Sequence, residues 1–258
     1  MPLPSITLAI PGRVALITGG SRGIGAAAVR MFVAAGAKVA FNYQKARSAA
    51  EALVRECGEE NCLALQADLN GTQAARDLVD AAVSRFGRLD VLVANHGVWP
   101  PDEVAVDEMT EKQWHHTVQV NLDSVFGLIK HAVAQMKKQG GGDIVTVSST
   151  AGQRGEAGHC DYAATKGAMI SMVKGLSTEL APHRIRVNCV APGWVSTDMA
   201  APAINDPAVR DKVFRAIPLG RVATPEEVAG PILFLCTPHA GFITGEIFNV
   251  NGGAVLVG

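Results

Sequence analysis

The sequence predicts an α/β fold: a single-domain, doubly wound parallel sheet of seven strands with helices on both faces. Three observations predict it. Short β-branched runs alternate with longer alanine-rich stretches of helical period. The short runs are apolar on consecutive positions, as strands covered on both faces are. The first run leads straight into a glycine-rich turn that opens a helix.

Taken in order, strand Arg13–Thr18 is followed by helix Gly23–Ala35, strand Lys38–Asn42 by helix Ala46–Cys57, and strand Asn61–Gln66 by helix Thr72–Phe86. Strand Asp90–Asn95 then precedes one long helix, Glu111–Gln139, and strand Asp143–Ser149 precedes helix Tyr162–Pro182. Strand Arg184–Ala191, helix Pro225–Leu235 and strand Glu246–Val250 complete the pattern. Caps mark the starts: Thr72, Thr110 before Glu111, and Thr224-Pro225-Glu226-Glu227, with proline at the first helical position and acids in the first turn. No repeat or linker divides the 258 residues, which suffice for one sizeable core and are few for two.

Composition excludes several classes. A net charge of -1 leaves no electrostatic footprint for nucleic acid. No stretch has the apolar length of a membrane span, and Met1 to Gly12 lack the basic start and apolar run of a signal peptide. Five scattered cysteines (Cys57, Cys62, Cys160, Cys189, Cys236) have no metal-ligand spacing and read as thiols in a reducing compartment. The expectation is a cytoplasmic protein with no metal.

The turn after the first strand reads Thr18-Gly19-Gly20-Ser21-Arg22-Gly23-Ile24-Gly25. Glycines let backbone approach a pyrophosphate, and the helix start offers unpaired N–H groups to it. Strand before and helix after make this a dinucleotide site, with Gly19, Gly23 and Gly25 placed for it. The second strand ends Phe41-Asn42-Tyr43-Gln44-Lys45, with no acid before Glu51 and with Arg22, Lys45 and Arg47 near. A carboxylate there would take a ribose 2′-hydroxyl, whereas cations suit a 2′-phosphate. NADP(H) is therefore expected over NAD(H).

Tyr162 and Lys166 lie four residues apart, one above the other on a helix face. A positive charge near a phenol favours its ionised form, so the pair is expected to act as a general acid/base with a lowered tyrosine pKa.

These motifs, with Asn121, Ser149 and Pro192-Gly193 in register, resemble the short-chain dehydrogenase/reductase family over essentially the whole chain. Within it the look is closest to NADPH-dependent 3-oxoacyl-carrier-protein reductases and related ketone reductases. The resemblance implies a Rossmann-like fold and roles for single residues. Ser149 donates a hydrogen bond to the substrate carbonyl; Tyr162 exchanges the proton; Lys166 tunes Tyr162 and holds the nicotinamide ribose; Asn121 serves a water-mediated relay behind Lys166. It also implies that Asp68 and Leu69 contact the adenine, and that Pro192, Gly193, Val195 and Thr197 bind the nicotinamide end. Ser21, Arg22, Ile24, Asn42, Asn95 and Gly97 complete the expected cofactor set. Where the family usually reads Asn-Asn-Ala-Gly, this chain has Ala94-Asn95-His96-Gly97. His96 reads as a spacer rather than as a pocket residue.

The implied reaction moves a hydride between NADP(H) and a small, partly apolar ketone or secondary alcohol. Trp99 and a lid over 194–217, with Met199, Ala200, Ile204, Val209 and Phe214, are the apolar substrate elements. The arginines with which carrier-protein reductases dock an acidic carrier align with Gly140 and His183 here, which predicts a free carbonyl compound as substrate. An inactive NADP(H)-binding regulatory or structural protein is the alternative, disfavoured because it has no need of Asn, Ser, Tyr and Lys in register. The apolar helix Tyr162–Ala181 and the tail Ala254 to Gly258 predict subunit contacts, and the resemblance implies a homotetramer.

Overall fold

Apolar side chains on consecutive positions can be buried on both sides only in the middle layer of a three-layer fold. The computed structural model describes residues 8–257. Its strands are β1 (Val14–Ile17), β2 (Lys38–Tyr43), β3 (Cys62–Gln66), β4 (Val91–Ala94), β5 (Gly142–Val147), β6 (Ile185–Pro192) and β7 (Ile247–Val250). They form one sheet of order β3-β2-β1-β4-β5-β6-β7, parallel throughout. The first half of the predicted leader-free start (residues 1–7) and Gly258 lie outside the described residues.

The helices are α1 (Gly23–Ala34), α2 (Arg47–Cys57), α3 (Thr72–Phe86), α4 (Glu111–Val118), α5 (Ser124–Gln139), α6 (Thr150–Arg154), α7 (Cys160–Leu180), α8 (Ala201–Asn205), α9 (Pro207–Ala216) and α10 (Pro225–Leu235). Alternation along β1 sends Ile17 to one face and Leu16 to the other. On the first face Phe32 of α1, Leu53 of α2 and Ile232 of α10 share a core; on the second, Leu78 of α3, Leu128 of α5 and Met169 of α7 share another. The chain runs outward from β1 to β3, then returns to β4 and runs the other way. That reversal opens a crevice at the carboxyl ends of β1 and β4, where ligands bind in such sheets.

Several elements differ from expectation. The long helix is interrupted at Gln119–Asp123 by a π-turn between α4 and α5. The cause is tertiary: Asn121 in that turn hydrogen-bonds the backbone of Val98 across the fold. The segment expected as an open lid winds into α8 and α9. Asp206 Oδ1 caps α9 by accepting from the Ala208 amide at 2.9 Å, and Pro207 takes the first helical position. Thr72 is the first residue of α3 rather than its cap; Gly71 holds that place without a side-chain bond. Thr110 and Thr224 cap as expected, Thr224 in a reciprocal capping box with Glu227. The helix expected to be apolar all round, α7, buries Met169, Val173 and Leu180 within this chain and turns Ala164, Lys174, Thr178 and Glu179 outward.

At the amino end of the sheet the buried charges are matched. Asp143 at the start of β5 meets Arg13 at 2.6 Å and Arg186 at 2.7 Å. Burial pushes the Asp143 carboxyl up, and the two guanidiniums oppose that rise. Asp90 accepts from both Arg88 nitrogens and from the Val14 amide.

Candidate active site

At the opposite end of the sheet the crevice is a cleft of about 770 Å³. Its first wall is the turn after β1. Gly19 takes φ +63°, a left-handed conformation that glycine adopts without strain. A Cβ at Gly25 would overlap the Gly19 carbonyl oxygen, so the missing side chain lets α1 begin directly against the turn. Gly19, Ser21, Arg22, Gly23 and Ile24 line the cleft, whereas Gly25 is buried outside its lining. No side chain caps α1, which leaves its first amides for an anion.

Asn42 and Asn95 line the cleft too, but their amides brace the turn. The Gly19 amide donates to Asn42 Oδ1 at 2.8 Å, Asn42 Nδ2 donates to the Ala67 carbonyl, and Asn95 Nδ2 donates to the Thr18 carbonyl at 2.9 Å. Asp68, Leu69, Gly97, Pro192, Gly193, Val195 and Thr197 border the same cleft. Lys45 lines it as an exposed cation beside β2. Arg22, also exposed, meets Asp198 at 3.4 Å, and Arg47 donates to Gln66. A glycine turn open to close approach, an uncapped helix start and exposed cations fit a phosphorylated dinucleotide. Among the described residues no cluster of His, Cys, Asp and Glu could hold a metal, and no helix is long and apolar enough to cross a membrane.

Ser149, Tyr162 and Lys166 converge on the far wall. Ser149 caps α6, its Oγ accepting from the Ala151 amide at 3.1 Å, which leaves its hydroxyl hydrogen free to donate. The neighbouring Ser148 is engaged elsewhere, its hydroxyl donating to the Lys166 carbonyl at 2.7 Å. Lys166 is 4 % exposed; its Nζ donates to the Val147 carbonyl at 2.8 Å and lies 5.7 Å from the Tyr162 ring centre.

The expected lowering of the tyrosine pKa by lysine is not what governs this site. Burial pushes the Tyr162 phenol up to about 12, a hydrogen bond with Ser149 pulls against it, and the Glu156 charge adds to the rise. Burial likewise lowers Lys166 to about 8. Dehydration is the largest cause of both shifts. Tyr162 is therefore a protonated phenol at neutral pH, a donor in waiting.

Asn121 does not reach the cleft. Its Oδ1 accepts from the Val98 amide at 2.8 Å and its Nδ2 donates to the Val98 carbonyl at 2.9 Å, fixing the chain beyond β4. His96 is more than a spacer. It borders the cleft and bridges Thr18 Oγ1 (2.8 Å) to Ser124 Oγ (2.7 Å). The Ser124 hydroxyl donates to the Val120 carbonyl, so His96 Nε2–H donates to Ser124 and Nδ1 accepts from Thr18. Burial first, and the Lys166 charge second, lower its pKa to about 3 and keep it neutral. The histidine thus ties the glycine turn to the π-turn.

Asp161 went unnoticed in the sequence. It is fully buried next to Tyr162, accepts from Thr117 Oγ1 at 2.7 Å and Gln113 Nε2 at 3.3 Å, and takes the Tyr162 amide at 2.8 Å. It fastens the first turn of α7 to α4. An acid in the first turn of a helix was the available signal, but only its partners on α4 give it a role.

The chain matches, over residues 19–255, the family described as enoyl-(acyl carrier protein) reductase. It is 38% identical to a 3-oxoacyl-[acyl-carrier-protein] reductase of Synechocystis sp., covering 96% of this chain and 99% of the relative. It is 37% identical to an acetoacetyl-CoA reductase of Rhizobium meliloti, covering 93% and 98%. A crystal structure of a short-chain dehydrogenase/reductase (glucose/ribitol dehydrogenase) from Brucella melitensis superposes with a TM-score of 0.90 at 36% identity, covering 98% of this chain and 100% of that one.

Proposed function

This chain belongs to the short-chain dehydrogenase/reductase family as an oxidoreductase acting on CH–OH and C=O groups, and we propose that it reduces a free, partly apolar ketone with NADPH. One observation carries this: Ser149, Tyr162 and Lys166 stand in the same cleft as the glycine turn, opposite the exposed cations Arg22 and Lys45. The nicotinamide, when bound, supplies the hydride. Ser149 donates a hydrogen bond to the carbonyl oxygen and holds it beside Tyr162. Tyr162, a neutral phenol at physiological pH, gives its hydroxyl proton to that oxygen as the carbonyl carbon is reduced. Lys166 keeps a charge in the cleft below its lowered pKa and would hold the cofactor ribose. Asn121 acts as a positioning residue through Val98, and Asn42 and Asn95 keep the turn in shape.

NADPH is favoured over NADH because the end of β2 offers Lys45 and no carboxylate, and Arg22 of the glycine turn lines the same cleft. A free substrate is favoured because Gly140 and His183 stand where a carrier-docking arginine pair is expected, although Arg184 is adjacent and its guanidinium lies beside Gly140. The segment 194–217, with Met199 exposed and Ala200 bordering the cleft, serves as a lid. Exposed Phe242, Leu256 and Val257, with Trp114 on α4 and Phe126 on α5, favour a homotetramer. A cytoplasmic location accords with five free thiols. The test is loss of NADPH absorbance across a panel of ketones, carrier-bound 3-oxoacyl thioesters included, with Tyr162→Phe as control. Turnover of ketones that Tyr162→Phe abolishes supports the proposal. Absence of any turnover while NADPH binds, or better turnover of the thioesters, contradicts it.

A further inference from the structure

Beyond Ser149 and Tyr162 the cleft is walled by two tryptophans. Trp99 follows β4, and Trp194 opens the segment after β6. Their rings meet edge to face, centres 6.1 Å apart and planes at 80°. Behind Trp99 lies His159, which does not border the cleft; the two rings stack at 4.8 Å and 19°. His159 is buried, and neither ring nitrogen has a hydrogen-bond partner. A buried imidazole without polar partners is costly, so its place against Trp99 is a packing role. The stack clamps Trp99 from behind. The result is a right-angled corner of two indoles in a cleft that Ala151 and Met199 also line.

We propose that this corner is a subsite for an aromatic ring and that the substrate is a compact aryl ketone. The assignment rests on the carbonyl reduction proposed above. A flat ring placed in a right-angled corner stacks on one indole and meets the other edge-on, the two arrangements that aromatic quadrupoles favour. A saturated ring of the same size fills the space without that complementarity. A flexible acyl chain would also surrender rotamer freedom that a ring does not have. Arg154 and Glu156 also line the cleft, and their charges are unfavourable neighbours for a long apolar chain.

The experiment compares phenyl methyl ketone with cyclohexyl methyl ketone, which share carbon count and approximate size but differ in having a flat aromatic or a puckered saturated ring. The ratio of their kcat/KM values is measured in the intact protein, in Trp194→Leu, in Trp99→Leu and in Trp99→Phe. Comparing ratios between proteins cancels the intrinsic reactivity of the two ketones. Each leucine variant is expected to lower the phenyl-to-cyclohexyl ratio by about fivefold, and Trp99→Phe, which keeps an aromatic face, to lower it less. A ratio unchanged in Trp194→Leu and Trp99→Leu overturns the assignment. If Trp99→Leu does not fold, Trp194→Leu and Trp99→Phe decide. If the intact protein turns over neither ketone, calorimetric titration of both in the presence of NADP separates the two claims. Tighter phenyl binding that Trp194→Leu abolishes supports the aromatic corner while the reductase proposal fails; equal binding, or none, overturns the corner.

Discussion

The two ends of one sheet treat buried charge in opposite ways. At the amino end Asp143 is held between Arg13 and Arg186, and Asp90 is held by Arg88. At the carboxyl end Lys166 is buried with a backbone carbonyl as its hydrogen-bond partner, and Tyr162 is half-buried beside it. At Asp143 two guanidiniums oppose the rise that burial causes and tie strands together, whereas at Lys166 no carboxylate among the described residues opposes the effect of burial. Such a shift is costly to a fold and useful to a reaction. The contrast separates the structural end of the sheet from the chemical one using distances and charge alone.

The sharpest way to break the contrast is to remove the phenol. Tyr162→Phe is expected to lower kcat/KM for ketone reduction by roughly a thousandfold, within the usual range for a general acid. Its melting temperature should stay within a few degrees of the parent, because the phenol's only bonding partner among the described residues is the Ser149 hydroxyl at the cleft and no core contact is lost. A large loss of stability with retained activity would reverse the roles of the two ends. At the other end, Asp143→Ala strands two part-buried guanidiniums and is expected to cost about 3 kcal/mol in denaturant unfolding. Activity per folded molecule should be unchanged.

Smaller effects sharpen the picture. Arg22→Glu places a carboxylate beside the glycine turn and is expected to shift the NADPH-to-NADH preference by at least about tenfold, read as the ratio of the two dissociation constants. The pH profile carries the next effect. Lys166 loses its proton as pH rises through about 8, while Tyr162 stays protonated to about 12. The reductive kcat/KM should therefore be level below pH 8 and fall about tenfold per unit above it. A fall on the acid side instead would assign the controlling ionisation to another group.

Much of this was legible in the residues. Strand and helix order followed from periodicity; Tyr162 and Lys166 follow from spacing and Ser149 from the family resemblance, and the three meet in one cleft. What escaped depends on contacts between distant segments. The π-turn at Gln119–Asp123 exists because Asn121 reaches Val98, and no local propensity encodes that. The bridge made by His96 needs Thr18 and Ser124 in place on two other elements. The direction of the tyrosine shift was misread because a nearby ammonium is visible in a sequence, whereas the dehydration that outweighs it is not. Helices α8 and α9 were readable from Asp206-Pro207, a cap followed by a proline, had that signal been given more weight than the loop-like composition around it.

The central claim is that the carboxyl end leaves a buried lysine unmatched. Selective isotope labelling of lysine, with the Lys166 signal assigned by its loss in Lys166→Arg, permits a direct NMR titration of that ammonium in the cofactor-free protein. The midpoint is expected near 8, displaced below the ordinary value of 10.5. A midpoint at or above 10.5 would mean a solvated or charge-paired lysine, and the distinction between the two ends of the sheet would fall.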